Sequence, residues 1–370
     1  MGIGFVTIFG RVWVRSRPPD RGAVPAGSGR IRGRDRRHTQ KHRFGGIGCT
    51  WGCPEERIIT LAPARSQQSY RHEAFLWRDA SDFTAGIVPF IRDGLEAGEP
   101  VMVAVGPLHT KWLRAALDGQ ADVEFVDMEE LGRNPAQIIP AWQQFLDSRS
   151  GGFRPVRGVG EPIWPGRRPE ELVECQLHEA ILNIAIDPDT PFWLICPYDA
   201  VTLSPAVVEE AHRSHPMIVD AGSYHGSAHY TGRAHVEEMF AAELSELVGQ
   251  PIATVFTAHS VSRLYTYIKF ELHVAGLPAG AAGDIAATTQ QLALNSLQRG
   301  AAEVTVQMWN QPDALICEVV DDTVIDDVLL GRRVPGEDEH DGLWHANQLC
   351  DLVQMRSSSA GTTVRLHAWK

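Results

Sequence analysis

Glu174 and His178 stand four residues apart in VECQLHEAILN, a spacing that puts a carboxylate and an imidazole on one face of a helix. Such a pair can hold a metal ion, and the same spacing serves ordinary pairing between neighbours on a helix surface. His72, Glu161, Trp164, Tyr198 and Asp199 fall near the ends of short apolar runs. If those runs are strands of an open parallel sheet, these side chains stand where such sheets take small ligands. His212 and His215 in HRSHP suggest a phosphoacceptor, but Pro216 ends the helix that carries them and no long dimerisation hairpin follows, so a solvent-exposed helix end is the better account. Cys49 and Cys53, in CTWGC, could bind metal or form a disulfide, although nothing else of a zinc motif accompanies them. Cys175, Cys196, Cys317 and Cys350 lie inside apolar patterns and read as buried, reduced thiols.

The elements that must position these residues follow from the rhythm of the chain. From Val101 short apolar runs alternate with helical patterns: VMVAVG, a helix near 108–118, VEFVDM, a helix near 136–148, PVRGVGEPIW, a helix near 169–185, WLICPYD and a helix near 204–214. Runs too apolar for strict alternation are expected of a parallel sheet covered on both faces. Residues 69–220 are therefore expected to form a three-layer α/β domain. Ser204-Pro205 and Asn134-Pro135 each offer a helix cap followed by proline at the first helical position. Residues 221–250 read as a connector. A second domain is expected over 251–370, with a strand at IATVFTA, helices near 261–275 and 278–299, strands at EVTVQMW and ALICEVV, a helix near 342–352 and a last strand at TTVRLHA. This order suggests an α/β sandwich with helices on one face of a mixed sheet.

The chain has 370 residues, 44% hydrophobic and 22% charged, enough for two globular domains. Its apolar runs are too short for a transmembrane helix, so a cytoplasmic protein is expected. Charge is uneven: residues 1–71 hold 14 Arg and Lys against 4 Asp and Glu, whereas the whole chain has a net charge of −12. The basic segment, residues 1–68, lacks any sustained period and is expected to be a disordered extension. The acidic remainder argues against nucleic acid as the main partner.

In fixed order, QLALNSLQRG, CEVVDDTVIDD, HDGLWHANQLCDLV and AGTTVRL resemble the GHKL (Bergerat, histidine kinase-like) ATPase fold, in the branch of the anti-sigma-factor serine kinases. The likeness covers about residues 251–370. It implies ATP and magnesium as ligands, with Asn295 coordinating the ion that bridges the phosphates and Asp321 receiving the adenine amino group. Gly342 would lie in the lid over the phosphates, and Thr323, Gly361 and Thr362 would complete the nucleotide site. The sequence departs from the family at three places. Gln291 stands where a glutamate serves as general base, Thr323 where a glycine follows the adenine-binding aspartate, and His340 where the lid has a glycine. No residue is therefore assigned as catalytic. An amide cannot take a proton, so the resemblance implies binding, with an active serine/threonine protein kinase or an atypical sensor histidine kinase as the alternative.

HEAFLWRD, FIRDGLEAGEPVMVAV, GRNPAQIIPAW, RGVGEPIWPGR, VECQLHEAILN and LICPYDAVTL resemble the MEDS sensory domain that precedes such ATPases in actinobacterial anti-sigma regulators of the RsbA type. This second likeness covers roughly residues 70–216. It implies a RecA/KaiC-like core without its phosphate loop, a small-molecule ligand, and a sigma factor or anti-sigma antagonist as partner. It leaves a homodimer open.

Overall fold

The computed structural model describes residues 69–118, 122–149, 154–336 and 342–370. The expected basic extension, the CTWGC cysteines and His340 lie outside them. The first domain is built on β1 (Arg71–Trp77), β2 (Val101–Val105), β3 (Val123–Asp127), β4 (Val156–Gly160), β5 (Phe192–Asp199), β6 (Met217–Asp220) and β7 (Ser223–Gly226). They form one sheet in the order β3-β2-β4-β5-β1-β6-β7, parallel throughout except for the final β6–β7 hairpin. Strands β1, β2, β4 and β5 are buried on both faces, which is why they read as unbroken apolar runs.

Helices α1 (Ala80–Glu96) and α2 (Pro107–Ala116) cover one face, where Phe83, Ile87, Ile91 and Leu113 meet Phe75, Val103 and Ile195. A one-turn helix, α3 (Met128–Leu131), precedes α4 (Ile138–Arg149), α5 (Pro169–Ala185) and α6 (Pro205–Ser214). The latter three supply Trp142, Leu177, Ile181 and Val207 to the opposite face, against Ala74, Leu76, Ala104 and Leu194. This is the expected three-layer α/β arrangement. Asn134 accepts a hydrogen bond from the Ala136 amide, as the Asn-Pro signal predicted, whereas Ser204 starts α6 without a side-chain cap.

The stretch read as a connector contributes structure of its own. β7 completes the first sheet, and α7 (Arg233–Ala241) buries Val236 and Phe240 against α5 and the second domain.

The second domain contains β8 (Ile252–Phe256), α8 (Leu264–Val274), α9 (Ala279–Gln298), β9 (Val304–Asn310), β10 (Ala314–Asp321), α10 (Gly342–Leu349), β11 (Leu352–Ser358) and β12 (Gly361–Trp369). Its sheet runs β11-β12-β10-β9-β8. Every pair is antiparallel, so the expected mixed sheet is corrected to an antiparallel one. Strand β11 was not expected; the apolar periodicity of α10 runs on into Leu352 and Val353 and masks it.

One face of this sheet, with Val306, Cys317, Val319, Met355 and Val364, packs under α8 and α9. The other carries Gln354, Arg356, Arg365 and His367, and it too is buried, against α5 and α7. Helices on one face was therefore an incomplete expectation, because the first domain covers the second face.

Candidate functional site

Helix α9 brings the nucleotide candidates to one end of the second sheet. Asn295 and Gln291 lie one turn apart, and the Gln291 amide donates to Asn295 Oδ1 at 2.9 Å. The oxygen assigned to magnesium is thus already engaged. Gly342, the first residue of α10, seats directly on this pair: a Cβ there would fall 2.9 Å from Asn295 Nδ2 and 3.1 Å from Gln291 Cγ. A cavity of about 350 Å³ opens beside them, lined by Leu292, Asn295, Arg299, Ile325, Leu330 and Leu343. That volume lies at the low end of small-molecule pockets.

Asp321, last in β10, faces the helices like Val319 two residues before it. Its Oδ1 accepts from the Thr323 amide at 2.8 Å and from the Thr323 hydroxyl, and the Arg299 guanidinium stands 3.6 Å from Oδ2. Asp321 is not among the side chains lining the cavity, and Arg299 links it to that space. Thr362 pairs with Asp321 across the ladder and donates to the Thr323 carbonyl at 2.7 Å. Gly361 has φ +126°, and a Cβ there would meet the Asp321 carbonyl oxygen at 2.2 Å, so only glycine fits this close approach. The structure therefore assembles the six candidates in two groups, Asn295 with Gly342 and Asp321 with Thr323, Gly361 and Thr362, and Arg299 joins them.

The sensory candidates do not assemble as one group. Neighbours β2 and β4 send their following helices, α2 and α5, to opposite faces of the sheet, and the space beyond the C-terminal ends of two such strands is where open parallel sheets take ligands. Glu161 stands there and pairs with His109 of α2 at 2.6 Å. Burial raises the Glu161 pKa even though His109 and the Gly106 amide hold the carboxylate. Phe83, Trp77 and Trp112 surround the His109 ring with centroids 4.5, 5.3 and 4.9 Å away. His109 was missed in the sequence because it sits inside an ordinary helical pattern. Asp199 caps the turn after β5 by accepting from the Val201 and Thr202 amides. Trp164 lies under the Arg167 guanidinium, 3.6 Å from its ring centre.

Glu174 and His178 do not act as a pair. Glu174 is directed to the second domain, with Oε2 on Arg332 and Oε1 on Arg356, both at 2.7 Å, and with Gln354 at 3.4 Å. His178 is buried, and burial pushes its imidazole down to about 3.

His72 lies instead with Glu179, Cys196 and His215 on the α5 side of the first sheet, and the Tyr198 ring meets the His215 ring edge-on. His215 is fully buried rather than an exposed helix end: after α6 the chain dives into β6 beneath β1. Glu179 and Cys196 were overlooked as site residues because their sequence surroundings are apolar. All four cysteines of the described residues are buried free thiols, as expected.

Among the described residues no helix is long and apolar enough to cross a membrane. No curated protein matches the chain. A solved structure of the RsbU and RsbW domains of a Mycobacterium tuberculosis protein is similar at 14% identity and a TM-score of 0.23, covering 31% of this chain and 32%, about a third, of that one. Residues 71–216, which run from β1 through α6, match the family model of the MEDS domain, the methanogen/methylotroph DcmR sensory domain.

Proposed function

We propose that the chain is a signal-responsive regulator of the anti-sigma type. Its MEDS domain takes a small ligand beyond the strand ends where Glu161 and His109 meet, and its second domain binds ATP with magnesium and a sigma factor or antagonist protein without transferring phosphate. The observation that carries this reading is the bond from the Gln291 amide to Asn295 Oδ1. The group one turn before the magnesium ligand is a donor that occupies that ligand, and it has no basic lone pair with which to take a hydroxyl proton. Ion binding then requires the Gln291 amide to turn away from Asn295, freeing its oxygen for the ion. The arrangement of Arg299 beside Asp321 supports an anionic ligand in the adjoining cavity. The Glu174 cluster supports communication, because α5 of the sensory domain is ion-paired directly to the sheet that carries the nucleotide residues. Phe270 and Val274, one turn apart on the exposed side of α8, support a protein partner.

The test is incorporation of labelled phosphate from ATP into a candidate antagonist and into the chain itself. Wild type should show none above the Asn295→Ala background, and Gln291→Glu, which supplies a carboxylate at that position, should show a measurable gain. Robust transfer by the wild type that disappears in Asn295→Ala would replace this reading with that of a serine/threonine kinase.

A further inference from the structure

Four side chains from four separate elements converge inside the MEDS domain: His72 of β1, Glu179 of α5, Cys196 of β5 and His215 at the end of α6. All are buried, and their donor atoms lie within 4.8 Å of one another. His72 Nε2 stands 3.0 Å from Glu179 Oε2 and 3.3 Å from Cys196 Sγ, and His215 Nε2 stands 3.3 Å from the same carboxylate oxygen. A tetrahedral zinc site has bonds of about 2.0–2.3 Å, which puts its ligand atoms about 3.3–3.8 Å apart. The spacing here is already close to that of a filled site.

The hydrogen bonds around the cluster fix which ring nitrogens are free. The Asn183 amide nitrogen faces the carbonyl oxygens of Glu179, Ala180 and Ser214, so its Oδ1, 3.1 Å from His72 Nδ1, is an acceptor. His72 therefore carries its proton on Nδ1. His215 Nδ1 faces the Ala211 carbonyl at 2.9 Å and likewise carries the proton. In the neutral imidazoles both Nε2 atoms are lone pairs, and both point at a carboxylate. His215 Nε2 and Glu179 Oε1 have no hydrogen-bond partner. A second set of groups holding the outer nitrogen of each ligand histidine is the ordinary construction of a metal site. Converging acceptors in a dry interior need a cation between them.

We propose that His72, Glu179, Cys196 and His215 bind one divalent transition-metal ion of the zinc class, as a closed four-ligand structural site. Two imidazoles, a thiolate and a carboxylate suit zinc, cobalt or ferrous ions, and the sulfur disfavours magnesium and calcium. With four protein ligands and no exposed position the ion serves structure rather than catalysis. It joins β1, β5 and the end of α6 to α5, the helix whose Glu174 reaches the second domain.

The test uses the full chain produced with added zinc and purified without chelators, its metal content measured by mass spectrometry. The wild type should hold one equivalent of zinc, and so should the Cys49→Ser/Cys53→Ser variant. Cobalt exchanged into the wild type should show a sulfur-to-cobalt charge-transfer band in the near ultraviolet, which Cys196→Ser should abolish. Asn183→Ala, which leaves all four donors in place, should weaken zinc binding by about 10- to 100-fold. Absence of zinc from the wild type, loss of zinc in the Cys49→Ser/Cys53→Ser variant, or a charge-transfer band that survives in Cys196→Ser would each overturn the proposal. The first of these outcomes would show that His72 and His215 hold Glu179 by protons alone.

Discussion

Replacing Glu174 by glutamine should loosen the union of the two domains more than any other single change of similar size. The carboxylate is buried, and it answers two guanidinium groups that are themselves 7% and 6% exposed. Arg332 also has one terminal nitrogen without a partner, so this small space already holds more positive than negative charge. Burial and the neighbouring Arg356 lower the Arg332 pKa, with Glu174 acting in the opposite sense. Removing one partner of a buried ion pair costs about 3–5 kcal/mol, because the remaining charge is left in a medium that solvates it poorly. With a urea slope of about 3 kcal/mol/M, that loss moves the unfolding midpoint down by about 1–2 M. The assay is urea unfolding of the full chain followed by tryptophan fluorescence, with hydrogen exchange to locate the change. Protection should fall first in β11 and β12, whose outer face rests on α5. A Glu174→Leu, Arg332→Met, Arg356→Met variant should recover most of the midpoint, since well-packed apolar groups can replace a buried ion cluster at little net cost. A midpoint for Glu174→Gln within about 0.3 M of wild type, or about 1 kcal/mol by the same slope, would refute the reasoning.

Other outcomes follow from single features. His367 is buried, and burial with Arg365 nearby pushes its imidazole down to about 3, below the ordinary value of 6.5. The unfolded chain then binds more protons between these values, so stability is full above about pH 6.5 and falls toward pH 3 by at most about 1.4 kcal/mol per unit. Urea midpoints measured against pH should show this slope, and a His367→Phe variant with the same slope would contradict it. Gly361→Ala should lower the melting temperature by about 3–5 °C, from about 2–3 kcal/mol of backbone strain and the clash with the Asp321 carbonyl; a change under about 1 °C would mean the hairpin adjusts freely. Gly342→Ala should push α10 away from Asn295 and increase exchange of the α10 amides while leaving those of the MEDS domain unchanged, and unaltered α10 protection would show that the contact is loose.

From Val101 onward the elements of the MEDS domain were legible because most of its strands are unbroken apolar runs and α2, α5 and α6 carry proline at their first positions, both of which are local signals, whereas β1 and α1 were not read as elements. Asn134-Pro135 and Ser204-Pro205 marked two helix starts within a residue. Strand β11 was not legible, because the apolar periodicity of α10 runs on into Leu352 and Val353 and hides the alternation that Gln354 and Arg356 mark. Their burial depends on Glu174, some 180 residues away along the chain. The same limit explains His215. Flanked by Arg213, Ser214 and Pro216 it reads as a wet helix end, and only the crossing of β1 over β6 makes it interior. The pairs that matter at the candidate sites, His109 with Glu161 and His72 with Glu179, join residues far apart in sequence. Asn295, Asp321 and Gly342 could be picked out by resemblance, but the Gln291 bond that occupies Asn295 is a matter of rotamer and proximity.

The most direct test of the central reading, a second domain that binds nucleotide without transferring phosphate, is a calorimetric titration of the full chain with ATP and magnesium. The account predicts saturable binding to the wild type that is lost in Asn295→Ala, with no ADP formed during the titration. No heat from the wild type, equal affinity in Asn295→Ala, or turnover of ATP to ADP that requires Asn295 would contradict it.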